Sequence, residues 1–147
     1  MDQNGAESRI RESFGRQALM RTLGARLSRV ADGEVEITLA ASPHITQQHG
    51  FAHAGALAAI ADSACGYACL SRMPEDSGVL SVEFKINLLA PAAGREFVAK
   101  ARVVRAGRTI SVASADVHAI DERGASKCVA VMQATMMRVE ASPDIRA

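Results

Sequence analysis

One carboxylate stands alone in an apolar stretch. Between residues 47 and 70, Asp62 is the only Asp, Glu, Lys or Arg. Residues 54–70 around it are small and apolar, which suits a helix buried on most sides. On a helical wheel Gly55, Ala58, Ala59, Cys65, Gly66 and Cys69 share the face of Asp62. Small neighbours let another molecule, or another backbone, come close to the carboxylate. A buried carboxylate is costly unless it is paired, neutralised or used. A satisfied core acid is the plain alternative, but the lack of other charges excludes a solvated face. The run opens with His53-Ala54-Gly55. A helix start built from small residues exposes backbone N–H groups at the positive end of the dipole. Such donors suit a developing oxyanion or a phosphate. The run is too short, and too interrupted by Asp62, to cross a bilayer.

The rest of the chain must position that helix. At 147 residues it can bury one core and is too short for two. Residues 1–7 are expected to be disordered. Ile10, Phe14, Ala18, Leu19 and Leu23 recur at helical spacing, so residues 8–23 read as one amphipathic helix ending at Gly24. Residues 25–30 and 33–39 read as a hairpin around Ala31-Asp32-Gly33. Beyond the central helix, β-rich runs at 79–89, 96–106, 109–121 and 126–139 are separated by short turns. They predict four strands in an antiparallel meander. The tail beyond Glu140 is polar and expected to fray. A curved antiparallel sheet of about five to six strands wrapped round one long helix satisfies the pattern, an α+β architecture. Its open edges invite dimerisation.

Net charge is +1, from 17 basic and 16 acidic residues, which gives no electrostatic case for nucleic acid or an anionic membrane. With no Trp, one Tyr and four Phe, base-stacking platforms are not expected. Cys65, Cys69 and Cys128 have no Cys-x-x-Cys spacing, and the first residues hold no apolar signal core. A soluble cytoplasmic protein with reduced thiols is expected. His44, His49 and His53 do not form a zinc set, because a catalytic site would need a third well-placed ligand and no Cys has ligand spacing.

The segment Gln47…Gly50…His53-Ala54-Gly55…Ala61-Asp62-Ser63-Ala64 resembles the hotdog-fold acyl-CoA thioesterases. The likeness is to the phenylacetate-degradation type within the 4-hydroxybenzoyl-CoA thioesterase superfamily. Residues 81–92 look like the family's second strand, and Gly107-Arg108 sits where the family often has a tight turn with a basic residue. The likeness spans about residues 20–139, and the hotdog domain would run over 24–140, between an N-terminal tail and helix (1–23) and a C-terminal tail (141–147). One position departs: the family's usual first Gly of His-Gly-Gly is Ala54 here. If only the backbone N–H is needed, Ala supplies it.

The resemblance implies thioester hydrolysis with coenzyme A as part of the substrate and no separate cofactor or metal. In that reading the N–H of Ala54 binds the thioester oxygen, and Gly55 gives close packing or a second N–H. Asp62 activates water or attacks directly, and Gln47 orients water or the thioester. His53 caps the helix and holds the loop, Ser81 lines the pocket or touches the carboxylate, and Arg108 meets the CoA phosphates. Other readings are a non-catalytic acyl-CoA or acyl-carrier module, and a hotdog dehydratase or hydratase. The last would want a His paired with Asp or Glu, and none is placed beside Asp62. Ala54 and Asp62 lie eight residues apart, about 12 Å along a helix. A homodimer, or a dimer of dimers, with shared sites is therefore expected.

Overall fold

Ala6, Ile10 and Phe14 recur at helical spacing, and helix α1 (Gln3–Arg16) lays them against the core. The computed structural model describes residues 3–145. A short helix α2 (Ala18–Leu23) follows, closed by Gly24 in the left-handed region at φ 75°. Strands β1 (Ala25–Ala31) and β2 (Glu34–Ala40) form the expected hairpin. Gly33 turns it with φ 72°, and a side chain there would also collide with Arg72. A 3-10 turn, Pro43–Ile45, leads to the central helix α3 (Ala54–Leu70). Then come β3 (Ser77–Leu88), β4 (Glu96–Arg105), β5 (Ile110–Ile120) and β6 (Ser126–Glu140).

The six strands form one antiparallel sheet in the order β1-β2-β4-β5-β6-β3. It is the hotdog arrangement, one long helix held against the inner face of the sheet. That face is rich in alanine: Ala99, Ala101, Ala113, Ala115, Ala130 and Ala134 are buried, as are Ala61, Ala64 and Ala68 of α3. Small side chains on both layers let helix and sheet pack closely. Larger residues, Ile37, Leu39, Phe97, Leu57 and Ile60, fill the flanks.

Arg9 ties α1 to the far end of α3. Its guanidinium donates to the carbonyls of Leu70 (2.7 Å), Met73 (3.2 Å) and Pro74 (2.7 Å). The Leu70 and Pro74 carbonyls also accept from the Met73 and Ser77 N–H groups (3.0 and 3.1 Å), and the cation meets the negative end of the α3 dipole.

Four expectations need correction. Residues 3–7 are helical rather than disordered, because Ala6 is buried beside Ile10; residues 1–2 lie outside the described region. The single helix at 8–23 is two, broken at Gln17, whose backbone is extended (φ −79°, ψ 100°). The meander holds for β4, β5 and β6, but β3 pairs with β6 while β4 pairs with β2. The alternation of Val82, Phe84, Ile86 and Leu88 marks a strand face and carries no information about its neighbour. The tail does not fray as far as residue 145: Ala141 N–H donates to Asp76 O (2.7 Å) and Ile145 lies over Gly78. Residues 146–147 lie outside the described region.

Candidate active site

Asp62 sits midway along α3, half-buried, and Ser81 of β3 donates a hydrogen bond to its carboxylate at 2.7 Å. The contact needs a local irregularity in the sheet. Ser81 pairs with Met136 and Glu83 with Thr135, so Val82 is an extra residue in β3. The bulge turns Ser81 towards the helix and Glu83 to the outer face, where it accepts from Thr135 (3.0 Å). Burial raises the Asp62 pKa above the ordinary carboxylate value, and the Ser81 bond partly offsets this by favouring the anion.

A cavity of about 170 Å³ borders this carboxylate. Gly66, Leu70, Val79 and Met136 supply its apolar wall, and Ser13, Gln17, Ser63 and Tyr67 a polar one. Gln17 holds that second wall together. Its Oε1 accepts from Ser63 Oγ (2.9 Å), and its Nε2 donates to Tyr67 Oη (3.3 Å), which shares a further hydrogen bond with Ser13 Oγ (3.2 Å). These residues carried no role in the sequence reading. The available signal was a pair of polar residues, Ser13 and Gln17, one turn apart beside the apolar stripe of the first helix, with Gly15 between them.

The other end of α3 carries the remaining candidates. His53 caps the helix, its Nδ1 accepting from Gly55 N–H at 2.7 Å. That is the capping role expected of it. The Gly55 N–H is given to that cap. A Cβ on Gly55 would come within 3.0 Å of His53 Nδ1, so close packing is what glycine provides. Ala54 is the first helical residue, and among the described residues none without a glycine backbone has positive φ. Its departure from glycine therefore causes no backbone strain, and no described group accepts its N–H. Gln47 lies near it, with its side-chain oxygen accepting from His49 N–H and so shaping the loop. Ala54, Gln47 and His53 line a groove of about 560 Å³ with Leu57, Leu88 and Pro91.

The two ends do not merge within one chain: the Asp62 cavity and the Ala54 groove share no residue. Along α3, Gly55, Ala58, Ala59 and Asp62 are at least partly accessible. Cys65, Gly66 and Cys69, expected on the same open face, are buried. Val79 and Met136 cover Gly66. Burial pushes the Cys65 thiol up to about 12 and Cys69 to about 11, so neither is a nucleophile at neutral pH. Arg108 is exposed on the β4–β5 turn and lines neither space. The turn is nonetheless near the Asp62 end of the sheet, since Ser111 pairs with Met136 and Met136 with Ser81. Among the described residues no three His, Cys, Asp or Glu side chains cluster to hold a metal. Among the described residues no helix is long and apolar enough to cross a membrane.

Comparison with known proteins agrees with this fold. The thioesterase superfamily model matches residues 49–126, which include α3 and the strand β3 whose Ser81 holds Asp62. A thioesterase family protein of Silicibacter pomeroyi is 45% identical, with TM-score 0.90, over 92% of this chain and 99% of that one. A conserved protein of Pseudomonas aeruginosa is 32% identical, with TM-score 0.77, over 84% of this chain and 94% of that one. The PaaI protein of the Escherichia coli phenylacetic acid degradation operon shares the fold: 22% identity, TM-score 0.80, over 95% and 97% of the two chains. The chain belongs to the thioesterase superfamily, and it is a thioester hydrolase.

Proposed function

We propose that the protein hydrolyses an acyl- or aryl-CoA thioester to the free acid and CoA, with Asp62 as base or nucleophile. One observation carries the reading: a half-buried carboxylate, held by a single serine hydroxyl, borders a cavity whose other groups are uncharged. In the base route Asp62 takes a proton from water as its oxygen bonds to the thioester carbon. The carbonyl π pair moves to oxygen, where the Ala54 N–H stabilises it. Collapse then breaks the C–S bond and the thiolate leaves, to be protonated. In the nucleophile route the carboxylate attacks the thioester carbon, the tetrahedral adduct expels the thiolate and becomes a mixed anhydride, and water cleaves that anhydride to the free acid and the Asp62 carboxylate. An oxyanion donor of this kind typically contributes about 10²–10³ in rate. Gln47 orients the water or thioester, and the exposed Arg108 meets the CoA phosphates.

The separation of the two half-sites supports a homodimer, alone or paired into a tetramer, in which Ala54 of one subunit works with Asp62 of the other. The free edge of β3 supports it further. It exposes Val82, Phe84 and Leu88, and among the described residues no strand pairs with its outer side. Three free thiols support a reducing, cytoplasmic setting.

The test is a panel of acyl- and aryl-CoA esters with a thiol-trapping dye, run on the protein and on Asp62→Asn. Wild type should release thiol from at least one ester. Asp62→Asn should lose about 10²–10⁴ of that rate, the usual range for a positioned base. Turnover by Asp62→Asn near the wild-type level would remove Asp62 from the mechanism.

A further inference from the structure

We infer that Met136 is a positioning residue of the hydrolytic site: its thioether sulfur gives the hydroxyl hydrogen of Ser81 a second acceptor beside Asp62. The inference rests on the hydrolytic reading above, since it concerns the carboxylate which that reading puts to work.

Two distances carry it. Ser81 Oγ lies 2.7 Å from Asp62 Oδ1 and 3.4 Å from Met136 Sδ. A serine hydroxyl has one hydrogen; a carboxylate accepts it strongly and a thioether sulfur weakly. One donor thus faces two acceptors. Rotation about the Cβ–Oγ bond moves the hydrogen between them.

The sulfur is fixed in place. Met136 of β6 pairs directly with Ser81 of β3, and its side chain is fully buried. Its Sδ lies over Gly66, one turn along α3 from Asp62, where a Cβ would stand 3.9 Å away. Leucine would occupy much the same volume and offer no acceptor.

The charge change on Asp62 gives the arrangement its use. As an anion the carboxylate takes the Ser81 hydrogen. In the base route it gains a proton from water, and in the nucleophile route it becomes an anhydride; both forms are uncharged and accept more weakly. The hydrogen then turns to the sulfur, so the buried hydroxyl keeps a partner. No covalent bond breaks in this turn. When the carboxylate is restored, the hydrogen returns to it. Without the sulfur, Ser81 would hold the anion in preference at every stage, and Asp62 would be a weaker base.

The other titratable groups beside Asp62 are Tyr67, in the cavity, and Cys65, on the next turn of α3; burial raises both. Charged groups on the surrounding elements point elsewhere. Arg16 of α1 pairs with Glu12, Glu83 and Lys85 of β3 are on the outer face, and Arg138 of β6 binds Ser77 and Asp76.

The experiment measures kcat/KM against pH for wild type, Met136→Leu, Ser81→Ala and the double variant. Met136→Leu should move the acidic limb to lower pH by about half a unit, the worth of one weak hydrogen bond. In the Ser81→Ala background the same substitution should not move the limb, because its effect passes through the hydroxyl. A packing role alone would lower the whole profile and leave the limb in place, which would overturn the assignment. So would an equal shift in both backgrounds. If Met136→Leu does not fold, protein with norleucine for its six methionines exchanges sulfur for methylene and carries the same expectations. If no thioester is cleaved, the hydrolytic reading fails on its own. The inference is then decided by NMR titration of the Asp62 carboxyl carbon in the same variants, where an unmoved midpoint in Met136→Leu would overturn it.

Discussion

Ser81 and Asp62 show how one hydrogen bond tunes a site. Burial alone pushes the Asp62 proton affinity up, and Ser81 counters it by stabilising the anion. Removing the hydroxyl must therefore raise the pKa further. The anion is the working form in either route, so Ser81→Ala should move the acidic limb of the kcat/KM profile to higher pH, and a high-pH plateau should remain. An unmoved limb would separate Ser81 from the titration. The same shift has a stability consequence. The folded state binds the Asp62 proton more tightly than the unfolded chain does. Its contribution to stability is then fully present below the unfolded pKa and is lost as pH rises through the folded one. At neutral pH the wild type carries that penalty and Asp62→Asn does not. Thermal melts at pH 7 should give a Tm for Asp62→Asn at or above that of wild type, while activity falls. Such opposition is usual where a site holds a poorly solvated charge. Asp62, Ser81, Ala54 and the cap by His53 were legible in the sequence, since a lone acid and a small-residue helix start are local signals. The Gln17 wall was not, because it depends on a helix break that the apolar spacing of 8–23 conceals.

At the scale of elements, α3 depends on its neighbours at both ends. His53 accepts from the Gly55, Ala56 and Leu57 N–H groups of the first turn, and Arg9, from a different helix, bonds the carbonyl of Leu70 and those of Met73 and Pro74 just beyond it. The hairpin turn joins them there, with Gly33 N–H donating to Ser71 Oγ at 2.8 Å and Arg72 pairing with Asp32 at 3.2 Å. Replacing Arg9 by Met keeps much of the stem's packing and removes the donors. Hydrogen bonds from a charged group are worth about 1.5–3 kcal/mol. Arg9 Nε, however, is buried with no partner among the described residues, which already costs something. The expected loss in Arg9→Met is therefore about 1–2 kcal/mol by chemical denaturation, with thioesterase kcat little changed. A variant as stable as wild type would show that water replaces the clamp. Periodicity identified the hairpin, α3 and the run of β4, β5 and β6 because each is set by near neighbours in sequence. The place of β3 is set by a partner about fifty residues away, beyond any local pattern.

The whole molecule raises a question of distance. A reacting thioester carbon needs its oxyanion donor and its base within about 3 Å, or one water further. Ala54 and Asp62 are held by one rigid helix at about 12 Å, and they open into different spaces. Two copies related by a two-fold can bring Ala54 of one to Asp62 of the other, and the symmetry then repeats the site. The accessible faces of Gly55, Ala58 and Ala59 permit the approach, and β3 is an edge strand whose outer side is open to pairing. A mixing experiment tests the arrangement. Ala54→Pro removes the proposed donor at a position that tolerates proline: it is the first helical residue, and His53 before it is already extended (φ −64°, ψ 138°). Ala54→Pro and Asp62→Asn should each form an inactive homodimer. After subunit exchange, each heterodimer contains one site with both groups intact. Activity should return towards half of wild type per heterodimer formed, and chromatography should show dimers throughout. If heterodimers form and remain inactive, or if a monomer turns over at the full rate, the sites are not shared between subunits.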